Sequence, residues 1–421
     1  MKVMLFIHQF RDPSAGGTEV YCRTLAHELK RQGAEVLVVT VDRTLHRPAY
    51  SWSRETVDGL DVRFLATPPA ERMGFDTWHD DPMTDRQISG LLESERPGAI
   101  HLLHLSGLSA GWLAGVPRPG PFVAMTLADH WLYCARGQLL DSDLNLCDGP
   151  EASRCARCLG FTGAAYWRHR YKHRWSSGTA RVDNRWVRLE SGLKRVDLFI
   201  SPSEDLAARH VELGLVPVGK SVAARYGFPL PGQSARPAPP GRRRIVFIGS
   251  LMYSKGAHIL LEAFSRLGAP ELSLELYGRW SDYHGRGGYR DDCARFLAGP
   301  RVTDCGPVPH EEVPPVLARA DLLAVPSIWP ENSPLVVQEA FLAGTPVMAS
   351  RIGGLKELVT DGEDGILVTP GDVGAWARAL GEWAAGTPVL GGLGAARGKV
   401  RSISDDAAGL LRFYGERSHA A

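Results

Sequence analysis

The stretch Asp321–Val359, DLLAVPSIWPENSPLVVQEAFLAGTPVMASRIGGLKELV, decides the reading of the whole chain. Leu322–Val325 is a short apolar run, the pattern of a parallel strand buried on both faces. Pro326-Ser327-Ile328-Trp329-Pro330 reads as a loop at that strand's carboxyl end. Ser333 and Pro334 then read as a helix start, with Ser at the cap and Pro at the first helical position. Gly344 ends the helix, and Pro346 precedes the next apolar run, Val347-Met348-Ala349. Ligands of open α/β sheets bind outside the carboxyl ends of strands, where helix N-termini present free N–H groups to anions. Glu331 in the loop and Glu339 on the helix, with seven residues between them, flank that anion site. Among 47 acidic residues a Glu pair at one spacing means little alone, so the ordered context has to carry the argument.

That context is strand, Pro-Ser loop, Glu, capped helix, Glu, Gly-Thr-Pro, strand, then Gly353-Gly354-x-x-Glu357. It resembles the donor-site signature of the retaining glycosyltransferases of family four, which have the GT-B fold. The resemblance implies an α/β protein of two Rossmann-like, doubly wound domains facing each other across a cleft. It implies a nucleoside diphosphate sugar, UDP- or GDP-linked, held mainly by the second domain. Glu339 is then expected on the ribose hydroxyls and Glu331 on the sugar hydroxyls. Backbone N–H groups around Ser333, Pro334 and Leu335 are expected on the diphosphate. Transfer would retain anomeric configuration without a catalytic metal, since no Asp-x-Asp motif is placed at the donor site.

The rest of the second half fits that frame. Ile245–Gly249 reads as a buried strand, Ser250–Gly256 as the loop after it, and Ala257–Leu267 as a helix. Lys255 stands just before that helix, where its amine and the helix N-terminus both favour a phosphate. Many family members carry Arg where this chain has Ser250, so a second cation on the diphosphate is expected from elsewhere, Arg279 or Arg351. Pro307-Val308-Pro309 lies where similar enzymes clamp the base through backbone groups. Ser404–Tyr414 reads as a last helix, which in GT-B proteins crosses back onto the first domain.

The first half alternates strand and helix. Val3–Ile7, Glu35–Thr40, Val62–Leu65, Ile100–Leu105, Phe122–Leu127 and Leu198–Ser201 read as strands, and such alternation implies a parallel, doubly wound sheet. The loop His8–Gly17 ends in Gly16-Gly17, which lets backbone N–H groups approach an anion; a tight turn without a ligand weighs equally. GGTE before an amphipathic helix resembles the family's N-terminal motif, which would put Gly17 opposite the donor phosphates. After Thr126 the family often carries a His-Asp pair. Here the register gives Ala128-Asp129, with His130 one residue later. Either His130 takes over the contact to the transferred sugar or the site lacks it. An ordinary surface histidine is an equal reading of His130.

Pro229–Gly241 (PLPGQSARPAPPG) has a linker's composition. The expected domains are 1–228, with a Cys-rich insertion at about 130–180, then the linker 229–241, a donor domain 242–400, and a crossing helix at 401–421. Cys134, Cys147, Cys155 and Cys158 have twelve, seven and two residues between them, and the last pair is a C-x2-C knuckle. A structural zinc is the leading expectation, an iron–sulfur cluster the second, and free thiols or a disulfide the third.

At 421 residues the chain has room for two or three domains, with 44% apolar and 23% charged residues. A net charge of +1 argues against nucleic acid as a partner. No apolar run reaches the ~18 residues of a membrane span. The first strand begins at once, so a cytoplasmic enzyme without a signal peptide is expected. Tyr166–Trp175 (YWRHRYKHRW) interleaves bases with aromatics. It suits a solvated helix face, docking on anionic lipid at the inner membrane face, or a phosphate-bearing acceptor. The expected acceptor is a glycan, a lipid-linked sugar or a small molecule. Two other functions stay open at this level: a sugar-nucleotide epimerase on the same fold, and a nucleotide-sugar-binding protein without turnover, suggested by Ala128 and Ser250.

Overall fold

The computed structural model describes every residue except 12–15, 45, 69–73, 163–176, 231–242, 387–390 and 416–421. Each half of the chain builds one sheet. The first half contributes β1 (Lys2–Phe6), β2 (Glu35–Asp42), β3 (Trp52–Val57), β4 (Leu60–Ala66), β5 (Ala99–Leu102), β6 (Phe122–Thr126), β7 (Leu198–Ser201) and β8 (Ser221–Ala223). Their order is β3-β4-β2-β1-β5-β6-β7-β8. All neighbours pair parallel except β3, which returns antiparallel on β4 through the turn Asp58-Gly59.

The second half contributes β9 (Arg243–Ile248), β10 (Leu272–Tyr277), β11 (Val302–Gly306), β12 (Leu322–Val325), β13 (Val347–Ser350) and β14 (Gly365–Val368). Their order is β11-β10-β9-β12-β13-β14, parallel throughout. Central strands are buried along their length, as the apolar runs of β1 and β12 require when helices cover both faces. Strand order reverses at β1/β5 in one sheet and at β9/β12 in the other. Such switch points leave a crevice at the carboxyl ends of the strands.

The helix Gly17–Arg31 buries Tyr21, Cys22, Leu25 and Leu29, the stripe spaced by three and four in the sequence. The helix Ile403–Gly415 runs back onto the first half. Tyr414 and the buried His101 share a hydrogen bond of 2.6 Å, and Tyr21 Oη donates to Asp406 Oδ2 at 2.8 Å. A single apolar cluster therefore contains residues of both halves, including Tyr226, Phe228 and Leu410.

Local readings needed correction at three places. The helix after Glu331 begins at Leu335, with Pro334 at its cap position. Ser333 gives no side-chain cap; its Oγ accepts from Gln338 Nε2 instead. β3 and β8 escaped the reading because WSRETV carries Arg54 and Glu55 in its middle and SVA is short, and both lie at sheet edges where burial leaves a weak pattern. In the aromatic and charged segment Ala70–Asp85, whose sequence has no clear period and reads as loop, Phe75–Trp78 forms a 3-10 turn and Asp81 caps a helix that starts at Pro82. The stretch 231–242, where the sequence places the link between halves, and Tyr166–Trp175 lie outside the described residues.

Candidate active site

The cleft between the two sheets encloses about 610 Å3. Its walls come from the carboxyl ends of β1 and β5 on one side and of β9, β10 and β12 on the other. Gly17, Asp129, Ser250, Lys255, Glu331, Ser333, Pro334, Leu335 and Glu339 all line it, so the chain folds nine of the ten candidate donor and catalytic residues around one space.

Glu331 is buried to 3% exposure at the end of β12. Lys255 Nζ (2.6 Å), Ser327 Oγ (2.6 Å) and Trp329 Nε1 (3.0 Å) all donate to its Oε1. Three donors on one oxygen fix the carboxylate's orientation and satisfy its charge. Lys255 also stands 5.3 Å over the Trp329 ring. The backbone that delivers it is tightly constrained: Gly256 has φ +71, and a Cβ there would lie 1.9 Å from Pro326 O. Only glycine lets the β9 loop press against the β12 loop and bring Lys255 to Glu331.

Glu339 lies one helical turn past the N-terminus of Leu335–Ala343 and is 9% exposed. Burial pushes its carboxyl up to about 7. His310 Nδ1 stands 3.4 Å from its Oε1. Pro307 and Val308 line the same end of the cleft. Of the two candidate second cations, Arg279 reaches the cleft, whereas Arg351 pairs with Asp361 away from it.

His130 is the residue the fold leaves out. It is 1% exposed, neither on the surface nor in the cleft. Its Nε2 faces Pro330 O at 3.0 Å, its Nδ1 meets Tyr133 Oη, and its ring packs among Trp329 and His210. Backbone N–H from Trp131 (2.7 Å) and His104 Nε2 (3.4 Å) hold Asp129, whose carboxyl is kept low by His104 and these bonds against the opposing effect of burial.

His8 and His104 were missed by sequence reasoning. They end β1 and β5 at the switch point, with ring centroids 4.4 Å apart, and His8 Nε2 stands 3.1 Å from Glu19 Oε1. No motif marks them; only their position just after two central strands could have. With Asp129 they form the boundary between the cleft and a second pocket of about 390 Å3.

The metal expectation is not supported. Among the described residues no three or more His, Cys, Asp or Glu side chains form a group that could hold a metal ion. Cys134, Cys147, Cys155 and Cys158 are free thiols lining a small apolar cavity of about 40 Å3 with Leu139, Leu140 and Val182. Burial raises the Cys134 and Cys155 thiols, and Cys147 Sγ bonds to Gly149 O at 3.3 Å. With their thiols raised, Cys134 and Cys155 pack as small apolar groups there. No helix among the described residues is long and apolar enough to cross a membrane.

Comparison with known proteins agrees with this geometry. Residues 15–222 match the family described as Glycosyltransferase Family 4, and residues 242–385 match Glycosyl transferases group 1. The chain is 30% identical over 381 residues to a D-inositol 3-phosphate glycosyltransferase of Mycobacterium leprae, covering 87% of this chain and 79% of that one. It is 28% identical over 429 residues to the same-named enzyme of Mycobacteroides abscessus, covering 95% and 84%. The fold superimposes on a sucrose-phosphate synthase from Thermosynechococcus elongatus with a TM-score of 0.72 at 21% identity, over the full length of both chains. It superimposes on Anabaena HepE in complex with UDP-glucose with a TM-score of 0.63 at 17% identity, over 98% and 99%. Two facing parallel sheets, a cleft that gathers the Glu331–Glu339 signature, and these relatives together make the chain a member of the family 4 glycosyltransferases, GT-B enzymes that use nucleotide sugars.

Proposed function

We propose that the enzyme transfers a hexosyl group from a UDP- or GDP-sugar to a hydroxyl of its acceptor with retention of anomeric configuration. The observation that carries this reading is the convergence of Glu331, Glu339 and Lys255 on one cleft. Glu339 accepts hydrogen bonds from the ribose hydroxyls, and Pro307 and Val308 flank the base. Lys255, Arg279 and the N–H groups at the start of Leu335–Ala343 hold the diphosphate, with Gly16 and Gly17 across the cleft. Glu331 orients the sugar through its hydroxyls. Lys255 answers to both partners: paired to Glu331 in the free protein, it lies within reach of a phosphate on the same side.

The acceptor enters from the pocket bounded by His8, His104 and Asp129. Its hydroxyl approaches the anomeric carbon on the face that the diphosphate leaves. The bond from carbon to phosphate oxygen breaks, the bond to acceptor oxygen forms, and the hydroxyl proton passes to the leaving diphosphate. The protein's part is positioning and stabilising that leaving charge, through Lys255 and backbone dipoles rather than a metal.

Titration of UDP and GDP into Glu339→Gln and Glu331→Gln tests the assignment. Glu339→Gln is expected to weaken nucleotide and nucleotide sugar about tenfold alike, the loss of one charge-assisted pair of bonds. Glu331→Gln is expected to leave nucleoside diphosphate affinity within about twofold and to cut transfer at least about a hundredfold. Equal losses of diphosphate affinity in both variants would overturn the roles. Lys255→Ala is expected to raise the donor Kd, and transfer is expected to persist in chelator.

A further inference from the structure

The pocket beside the donor cleft carries arginines that form no ion pair with a carboxylate among the described residues. Phe75, Trp78 and Trp131 give it apolar faces, and Arg136 and Arg185 line it. Arg43 stacks 4.6 Å over Trp78 at its rim. The described hydrogen bonds of all three arginines go to backbone carbonyls: Arg43 to Ser106, Arg136 to Cys158, Arg185 to Trp131 and Leu132. None has a carboxylate partner among the described residues. Arg43 Nε and Arg136 Nε are buried without an acceptor. Burial lowers Arg185 to about 10, against the raising influence of Cys134, Asp129 and Cys155. Asp129 is the pocket's carboxylate, and it is already engaged by Trp131 N and His104.

The surrounding imidazoles register the same field. Burial is the main cause that lowers His79 to about 3 and His284 to about 4, and Arg185 and Arg136 respectively add to it. His8 is lowered by burial first, then by His104, with a further share from Arg43. His8, His79 and His284, which line this pocket, are thus held neutral. Buried cations without partners are costly, and an anion delivered by a ligand removes that cost.

We infer that this pocket takes a carbohydrate or polyol acceptor bearing an anionic group, phosphate or carboxylate, its ring against Trp78 and Trp131 and its charge toward Arg43 and Arg136. Charged groups fork to such anions with good geometry, and apolar ring faces suit aromatic walls. The inference rests on the proposed placement of donor and acceptor, and it assigns what the acceptor must carry.

The test is calorimetry on the full chain saturated with UDP. The probes are inositol 1-phosphate, glucose 6-phosphate and glucuronate, each beside its neutral parent, inositol or glucose. The anionic probes are expected to bind at least about tenfold tighter than their parents, the gain of one charge-assisted contact. Phosphate-bearing probes ahead of glucuronate would assign a phosphate, and the reverse order a carboxylate. Arg43→Gln and Arg136→Gln are each expected to remove most of that preference while leaving UDP affinity within about twofold. Melting curves show that each variant is folded before it is titrated. Neutral parents binding as tightly, anion preference surviving both variants, or no probe binding to the UDP-loaded protein would each overturn the inference. Failure of the donor reading would appear separately, as unaltered UDP binding in Glu339→Gln.

Discussion

Glu339 is the residue whose chemistry the fold has altered most usefully. Burial raises its carboxyl to about 7, whereas an exposed glutamate ionises near 4.5. Ribose hydroxyls that donate to it favour the charged form, so nucleotide binding should release a proton near neutrality. Nucleotide affinity is therefore expected to rise with pH between about 6 and 8, by up to tenfold per unit where one proton is released. Titrations across that range, in buffers of differing ionisation enthalpy, would show it. Glu339→Gln should leave only the dependence contributed by the nucleotide's own phosphate, and an unchanged slope in that variant would exclude Glu339. Glu331, also buried, is held differently: Lys255, Ser327 and Trp329 all donate to one of its oxygens. Two glutamates with seven residues between them thus meet different environments: three donors converge on one oxygen of Glu331, whereas Glu339 faces only His310 Nδ1 at 3.4 Å.

At the level of elements, two close approaches hold the site together. Gly256 has no room for a side chain against Pro326 O and sits at positive φ. Gly256→Ala is expected to cost about 2 kcal/mol or more and to weaken donor binding, because Lys255 can no longer reach Glu331. Chemical denaturation and a UDP titration would measure both effects. The second approach is the helix Ile403–Gly415, whose Tyr414 hydroxyl reaches His101 at 2.6 Å, with Thr126 Oγ1 at 2.7 Å on the other ring nitrogen. Tyr414→Phe leaves Nδ1 of a fully buried imidazole unpaired, and is expected to destabilise the protein by about 1–3 kcal/mol. A denaturation midpoint equal to that of the parent protein would show that this bond contributes nothing.

For the whole molecule, closure of the cleft rests on polar contacts between the halves. Glu357, from the Gly-Gly-x-x-Glu run, accepts from Glu204 N at 2.8 Å and Asp205 N at 2.7 Å, capping an N-terminal-domain helix from the other domain. Lys356 pairs with Asp205 at 3.1 Å, and Arg225 donates to Glu357 O at 2.9 Å. A Cβ on Gly354 would lie 1.6 Å from Asn332 O, so the run also presses on the loop carrying Glu331. Glu357→Ala is expected to loosen the two halves, seen as a larger radius of gyration in scattering. It should lower kcat severalfold with UDP affinity nearly unchanged, since the proposed donor contacts lie mainly on the second half. Acid should weaken the fold as a whole. Burial lowers His79 and His101 to about 3 and His210, His258 and His284 to about 4. Each stays neutral in the native state but takes up a proton when unfolded below about 6.5, so stability present at pH 7 is lost as pH falls from about 6.5 toward 4. Each contributes up to about 1.4 kcal/mol per pH unit in that window, partly offset by the raised carboxyls of Glu339, Asp85 and Asp406. A melting temperature constant from pH 7 to pH 5 would contradict this.

Much of this was legible in the chain. Wholly apolar runs such as LLAV and VMLF admit little but buried parallel strands, and a glycine after a helix or before a lysine marks where backbone must approach backbone. The alternating α/β fold and the placement of Glu331 and Glu339 beside a crevice follow from such local constraints, because strand ends and helix starts define a crevice wherever they alternate; their proposed role toward a donor comes from the family resemblance. The sequence also put four cysteines close enough to suggest a metal, but spacing sets only reach. Burial kept two thiols protonated, a backbone carbonyl engaged a third, and the set lines an apolar cavity instead. Adjacency likewise suggested His130 beside Asp129. Once the strand ends, successive residues point in different directions, and tertiary packing turned one ring into the interior and left the neighbouring carboxylate in the cleft. His8, His104, Arg43 and Arg136 come from separate segments with no shared motif, so their meeting depends on strand order alone. The charge of the pocket beside the cleft, unlike the Glu331–Glu339 signature, exists only after folding brings distant residues together.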